Sequence, residues 1–296
     1  MSLVKDCLRN YLFQLYYQEL EKLVSGLTIE YAIVKGEVLS KMAYSKEGKR
    51  TGTDIDVLVS RSNIREMENC LASNGFKPDI VNRQHQVMML SSSHQTRTWS
   101  KECGIGIMTI DLNFDIFWGE YEGRRISIDD FLYDTIDMVI YGVTVKTLSP
   151  IKSFVQLVLH HYKDMNSIYL LATKKSIKYD MFKDVYYLLI NNLYEIPLEK
   201  LFSYCKEIEI VPYMYYVLYY TGCLYKDKVL NEYINRFEDS QGKFLLDKYG
   251  LNNDERKVWK FDFQTRLKED NLFKLIKEDL TESDFNKISV NSHYFG

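Results

Sequence analysis

Two aspartates stand one residue apart in TDIDVLV (residues 53–59), a run whose other members, Ile55, Val57, Leu58 and Val59, are those of a buried β-strand. Side chains two apart on a strand leave the same face, separated by roughly 6.5–7 Å along the backbone, so Asp54 and Asp56 can converge on one cation. Hard divalent cations such as Mg²⁺ take oxygen ligands in near-octahedral array, and carboxylates together with substrate phosphates are the usual way an enzyme holds them. A third carboxylate comes from GIMTIDLNFDIFW (residues 106–118), where Met108, Ile110, Leu112, Phe114 and Ile116 alternate with Thr109, Asp111, Asn113 and Asp115. This pattern predicts a strand with one apolar and one polar face. It offers Asp111 or Asp115, about 13 Å apart by the same geometry, so the two do not serve one centre together.

The elements that must position these groups are legible around them. Apolar positions at Leu3, Val4, Cys7, Leu8, Tyr11, Leu12, Leu15 and Tyr16 predict an amphipathic helix over residues 3–24. IEYAIVKG follows as a strand ending at Gly36, then EVLSKMAY as a short helix, then the polar loop SKEGKRTG carrying Arg50. SNIREMENCLASNG predicts a helix with Ser62 as N-cap and Asn74-Gly75 as its stop, and FKPDIV restarts the sheet. Residues 82–104 read as a polar, His-containing section. From Pro150, the N1 residue of a helix capped by Ser149, helical periodicity runs almost unbroken, in segments near 150–164, 179–192, 197–206, 212–224, 227–238, 240–249 and 254–279. The expectation is an α+β chain of two domains. Residues 1–149 form a mixed sheet with flanking helices, and residues 150–296 form an all-helical domain that closes the cleft.

Composition bounds the partners. The 296 residues carry a formal charge of −3 and 46% hydrophobic content. That fits a globular protein with a real core and supplies no general basic field for nucleic acid or anionic membrane. Five cysteines, never closer than eighteen positions, match neither a disulfide framework nor a zinc motif. Together with a charged N-terminal stretch and no long apolar run, they predict a cytoplasmic protein with reduced thiols. The tyrosines of Tyr213, Tyr215, Tyr216, Tyr219 and Tyr220 read as amphipathic packing with hydroxyls at the surface rather than as base-stacking platforms.

The segment VKGEVLSKMAYSKEGKRTGTDIDVLV resembles the signature of the DNA-polymerase-beta-type nucleotidyltransferase superfamily, and is closest to its bacterial uncharacterised nucleotidyltransferase branch. TIDLNF resembles the branch's third-carboxylate strand, with Asn113 where His is usual, which selects Asp111 over Asp115. FVQLVLHHYKD and FKDVYYLL extend the likeness into the helical half.

The resemblance implies roles by position. Asp54 and Asp56 would hold two Mg²⁺ ions, and Asp111 would ligate the second or act as general base. Gly36 would let the backbone approach a triphosphate at a helix start, and Lys35, Thr53 and Arg50 would line the nucleotide site. For Lys35 and Arg50 a solvated surface role is the alternative. Glu37 departs from the Ser usual after the glycine. Either it turns away as a first-turn helix residue or it impairs triphosphate binding. Lys152, Gln156, His160 and Lys163 share a helix side that is ordinarily solvated, but in two-domain relatives such a lysine closes on the triphosphate, which makes Lys163 a nucleotide-binding candidate; His161 reads as structural.

The expected activity is Mg²⁺-dependent transfer of NMP from an NTP, ATP among them, to an acceptor, with a small molecule favoured at this charge. The alternatives are a toxin-type enzyme acting on tRNA or protein, and a catalytically weak nucleotide-binding protein.

Overall fold

The computed structural model describes residues 2–50, 52, 54–116, 126–173 and 177–295 of the chain, so Thr53 lies outside the described residues. These form two compact units. The first takes in the described residues up to Ile116 and residues 126–153, and the second those from Phe154 onward.

The first unit is built on a seven-stranded mixed sheet: β1 (Tyr31–Val34), β2 (Ile55–Val59), β3 (Lys77–Pro78), β4 (Trp99–Cys103), β5 (Gly106–Asn113), β6 (Ile136–Ile140) and β7 (Val143–Thr147), in the order β3-β4-β5-β2-β1-β7-β6. β2 runs parallel to β5 and β1 parallel to β7, while the other neighbours are antiparallel. Parallel neighbours cannot be joined by a hairpin, so the chain between β2 and β5 must cross over. It does so through α3 (Ile64–Ser73), α4 (Arg83–Ser92) and the short strands β3 and β4.

Before and within this sheet come α1 (Ser2–Val24) and α2 (Gly36–Tyr44), and later α5 (Ile128–Leu132). Helix α1 forms where expected but buries another side: Phe13, Tyr16, Tyr17, Leu20 and Leu23 are buried, whereas Cys7, Leu8 and Tyr11 of the expected stripe are exposed, and only Tyr16 belongs to both sets. These pack with Ile55, Val57 and Val59 of β2, Met108, Ile110 and Leu112 of β5, and Ile64, Met67 and Leu71 of α3 in one apolar cluster. Because strand side chains alternate, burying Ile55, Val57, Ile110 and Leu112 sends Asp56, Asp111 and Asn113 to the opposite face. The core face thereby sets the chemistry of the other.

The second unit is helical, with one two-stranded ribbon. Helix α6 (Pro150–Asn166) begins in the first unit and continues into the second, followed by α7 (Ile168–Ala172), α8 (Tyr179–Ile190), α9 (Leu198–Glu207), α10 (Val211–Leu224), α11 (Lys228–Phe237) and α12 (Ser240–Leu245). The ribbon β8 (Lys248–Tyr249) with β9 (Lys257–Val258) precedes α13 (Phe263–Lys268), α14 (Phe273–Ile276) and α15 (Glu282–Phe295). Helix α10 is apolar on nearly all sides and forms the unit's centre, with α8, α9, α11 and α12 packed against it.

Several expectations need correction. Ser62 is not an N-cap: a 3-10 turn over Arg61–Asn63 leads into α3, and Ser60 and Ser62 pair their hydroxyls at 2.6 Å. The polar section 82–104 holds α4, capped by Asn82 accepting from the His85 N–H at 2.8 Å, and β4. Its side chains are half exposed, which erased the periodicity. The run 254–279 is broken, because Lys257–Val258 pairs as a strand with Lys248–Tyr249 and Asp262 caps a fresh helix by accepting from the Thr265 N–H. Tyr213, Tyr215, Tyr216 and Tyr220 are buried rather than surface-tipped. The Tyr220 hydroxyl donates to the Leu246 carbonyl and accepts from buried Arg266 at 2.9 Å.

Candidate functional site

The parallel pairing of β2 with β5 places Asp56 opposite Asp111 and Leu58 opposite Asn113. Asp54 lies in the bend just ahead of β2 rather than within the strand, so the same-face argument made from TDIDVLV does not by itself bring it to Asp56. Asp54 nonetheless lies near enough for its charge to reach Asp111. Burial pushes the Asp111 carboxyl above the ordinary carboxylate value, and the negative charges of Asp56 and Asp54 push it further. A hydroxyl and an ammonium oppose this: Thr98 Oγ1 donates to Asp111 Oδ1 at 2.6 Å, and Lys35 adds positive charge. Asp111 rather than Asp115 faces the cluster. Asp115 lies past the end of β5, where its Oδ1 accepts from the Ile116 N–H at 2.8 Å.

Asp56 is 9% exposed, and its Oδ1 accepts both from Lys35 Nζ and from Asn113 Nδ2, each at 3.0 Å. Asn113 thus serves as a neutral donor to Asp56 from the neighbouring strand. Lys35 occupies a left-handed backbone position, φ 56° and ψ −145°, and Gly36 follows at φ +41°. A lysine there is strained by on the order of 1–3 kcal/mol. Gly36 opens α2 beside the cluster, since a Cβ built on it would stand 3.9 Å from the Asp54 carbonyl oxygen. Lys35 and Gly36, two successive positive-φ residues, thus stand at the start of α2, where the first N–H groups of a helix are the donors an anion site uses.

Glu37 is resolved by its contacts. It is 1% exposed; its Oε1 pairs with Arg9 Nη2 of α1 at 2.5 Å, and its Oε2 accepts from the Gly48 N–H at 2.6 Å and from the Tyr141 hydroxyl at 3.3 Å. Both oxygens are engaged away from the Lys35-Gly36 turn, so Glu37 gives no support to impaired phosphate binding. Burial, then the Glu37 charge, push the Tyr141 phenol up, which keeps it a donor. Ser40 adds a second tie: its hydroxyl donates to the Lys46 carbonyl at 2.7 Å and accepts from the Lys49 N–H at 2.9 Å. The loop leading to Arg50 is thus fastened to α2 at two points. Arg50 itself is half-buried in that loop.

In the second unit the stripe on α6 is not the solvated face its sequence suggests. Lys152, Gln156, His161 and Lys163 are all buried, Lys163 at 5% exposure, and His160 is intermediate. Lys152, at the start of the helix, is held within the first unit by the Asp134 carboxylate and the Asp130 carbonyl. Lys163 Nζ stands 3.7 Å from Asp164 Oδ1.

The oxygen-only donor set of Asp54, Asp56 and Asp111 fits a hard divalent cation, the kind that carboxylate oxygens bind. Thr98, Arg9 and Tyr141 escaped the sequence reading, since each meets its partner across a chain separation that no local pattern reports. A family model described as uncharacterised nucleotidyltransferase matches residues 4–226 of the chain. No curated protein matches it.

Two outcomes follow from this geometry. A carboxyl whose folded value is raised binds protons more tightly in the native state, so its contribution falls as pH rises through its folded value. Asp111→Asn is therefore expected to stabilise the metal-free protein at pH 7, with the gain vanishing below the unfolded carboxylate value of about 4; urea unfolding across pH measures it. Glu37→Ala deprives the partly exposed Arg9 of its partner and the Gly48 N–H of its acceptor, and is expected to cost about 1–3 kcal/mol. It should also expose Lys46, Lys49 and Arg50 to trypsin, with Glu37→Gln milder on both counts.

Proposed function

This chain belongs to the uncharacterised nucleotidyltransferase family, and from that premise we propose that it moves a nucleoside monophosphate from an NTP to an acceptor hydroxyl or phosphate, using magnesium held by Asp54, Asp56 and Asp111. The observation that carries the reading is the register of Asp56 with Asp111, with the Asp111 carboxyl raised by burial and by both neighbouring carboxylates. When bound, the metal supplies charge neutralisation at the phosphates and lowers the pKa of the attacking hydroxyl.

The protein's own groups do the rest. The turn at Lys35-Gly36 and the first N–H groups of α2 receive the triphosphate, and Lys35 moves from Asp56 Oδ1 toward phosphate oxygen as the site fills. Asp111, made more basic by burial, accepts the proton of the attacking hydroxyl, while Thr98 fixes its orientation through Oδ1. A bond forms from the acceptor oxygen to the α-phosphorus, and the bond from that phosphorus to the bridging oxygen breaks, so pyrophosphate leaves. Most of the rate comes from position and charge. Lys163, Thr53 and Arg50 enter this reading as further candidate nucleotide contacts.

A small-molecule acceptor is favoured, since a formal charge of −3 gives RNA no general field to follow. No helix among the described residues is long and apolar enough to cross a membrane. The test is incubation with labelled NTPs and cell extract, followed by identification of the labelled species. Labelling is expected for the native chain, and a loss of at least about 10³-fold is expected for Asp54→Asn with Asp56→Asn, the order of effect of removing transition-state charge stabilisation. Equal labelling by the double variant would remove these residues from the reaction. A labelled RNA or protein in place of a small molecule would correct the acceptor.

A further inference from the structure

Three side chains of α6, apart from the aspartate cluster, converge on one point. One ligand atom each from His160, His161 and Asp164 lies within 4.8 Å of the other two. A helix advances about 100° per residue, so Asp164 projects between the two histidines, about 40° from His160 and about 60° from His161. His160 Nε2 stands 3.4 Å from Asp164 Oδ2. Two ligands each about 2.0–2.2 Å from a tetrahedral zinc stand about 3.3–3.6 Å apart, so this pair already has the spacing of a chelate.

The surroundings fit a cation. Asp164 Oδ1 is buried and accepts no hydrogen bond, and Lys163 Nζ, at 3.7 Å, is too distant to donate one. A carboxylate placed so calls for more positive charge than the lysine delivers. With a metal on Oδ2, Lys163 remains beside Oδ1 as the outer partner that orients a ligating carboxylate. His161 is 5% exposed, which shields the third donor from water.

We propose that His160, His161 and Asp164 bind one divalent transition cation of the zinc type. Two imidazole nitrogens and a carboxylate oxygen select such an ion over magnesium, which demands oxygen. Three protein ligands also leave a fourth position for water or substrate. The site is thus chemically distinct from the aspartate cluster and does not depend on the nucleotidyltransferase reading. A plain His160–Asp164 ion pair accounts for the 3.4 Å contact alone and is the alternative that the test separates.

Tag-free full-length protein, with magnesium in excess to occupy the aspartate cluster, is titrated with Zn²⁺ by calorimetry and with Co²⁺ by visible absorption. One equivalent of Zn²⁺ is expected, with the strong visible bands of low-coordinate Co²⁺. His160→Gln and Asp164→Asn, both at partly exposed positions and checked for unchanged circular dichroism, should each weaken binding by at least about tenfold, as losses around a metal site do. Asp56→Asn should leave it unchanged. No uptake by the native chain, or uptake of native affinity by both α6 variants, overturns the proposal.

Discussion

The parallel pairing of β2 with β5 is the constraint on which the first unit turns. It sets Asp56 opposite Asp111, and their carboxylates share a partly buried face on which both cannot be comfortable without positive charge. The fold holds this arrangement because the other face of the same two strands is its apolar core: Ile55 and Val57 against Ile110 and Leu112. A one-residue slip in register would send the carboxylates into the core and the aliphatic side chains out. Hydrophobic burial, distributed over many residues, therefore enforces a juxtaposition that the two aspartates would themselves resist.

Around that pair the protein supplies partial compensation. Lys35 and Asn113 meet Asp56 at one oxygen, Thr98 meets Asp111, and none of these brings the charge to balance. The strained turn at Lys35-Gly36 is supported by the Lys35–Asp56 contact on one side. On the other, α2 is anchored by the pairing of buried Glu37 with partly exposed Arg9. Glu37 thus links α1, α2, the loop toward Arg50 and Tyr141 at a single carboxylate. A residue that looked like an obstacle to phosphate is a fastening for the loop beside it.

Strands β1, β2 and β5, the span of α1 and the stop of α3 at Asn74-Gly75 were legible from local patterns, while the side of α1 that is buried and the hairpin of β6 with β7 were not. Asp111 over Asp115 was legible only through likeness to a known strand pattern, since alternation alone puts both on one face; the structure separates them because β5 ends at Asn113. What escaped the sequence has physical reasons. Helix α4 has no buried residue and so no stripe, and β4 pairs half-exposed side chains. The burial of Lys152 and Lys163 depends on what covers them, which periodicity cannot report. The contacts of Glu37 join positions 28, 11 and 104 residues distant along the chain, beyond the reach of any local pattern.

The central claim is that the Asp56–Asp111 pair awaits a cation that arrives with a nucleotide. The most direct measurement is the melting temperature of the native chain and of Asp56→Asn with NTP alone, Mg²⁺ alone and both together. The account predicts that Mg²⁺ with NTP raises the native melting temperature well beyond either component alone, as binding to the folded state requires, and that the variant loses this synergy. An equal rise in native protein and variant, or no metal-dependent rise with any NTP, would contradict it.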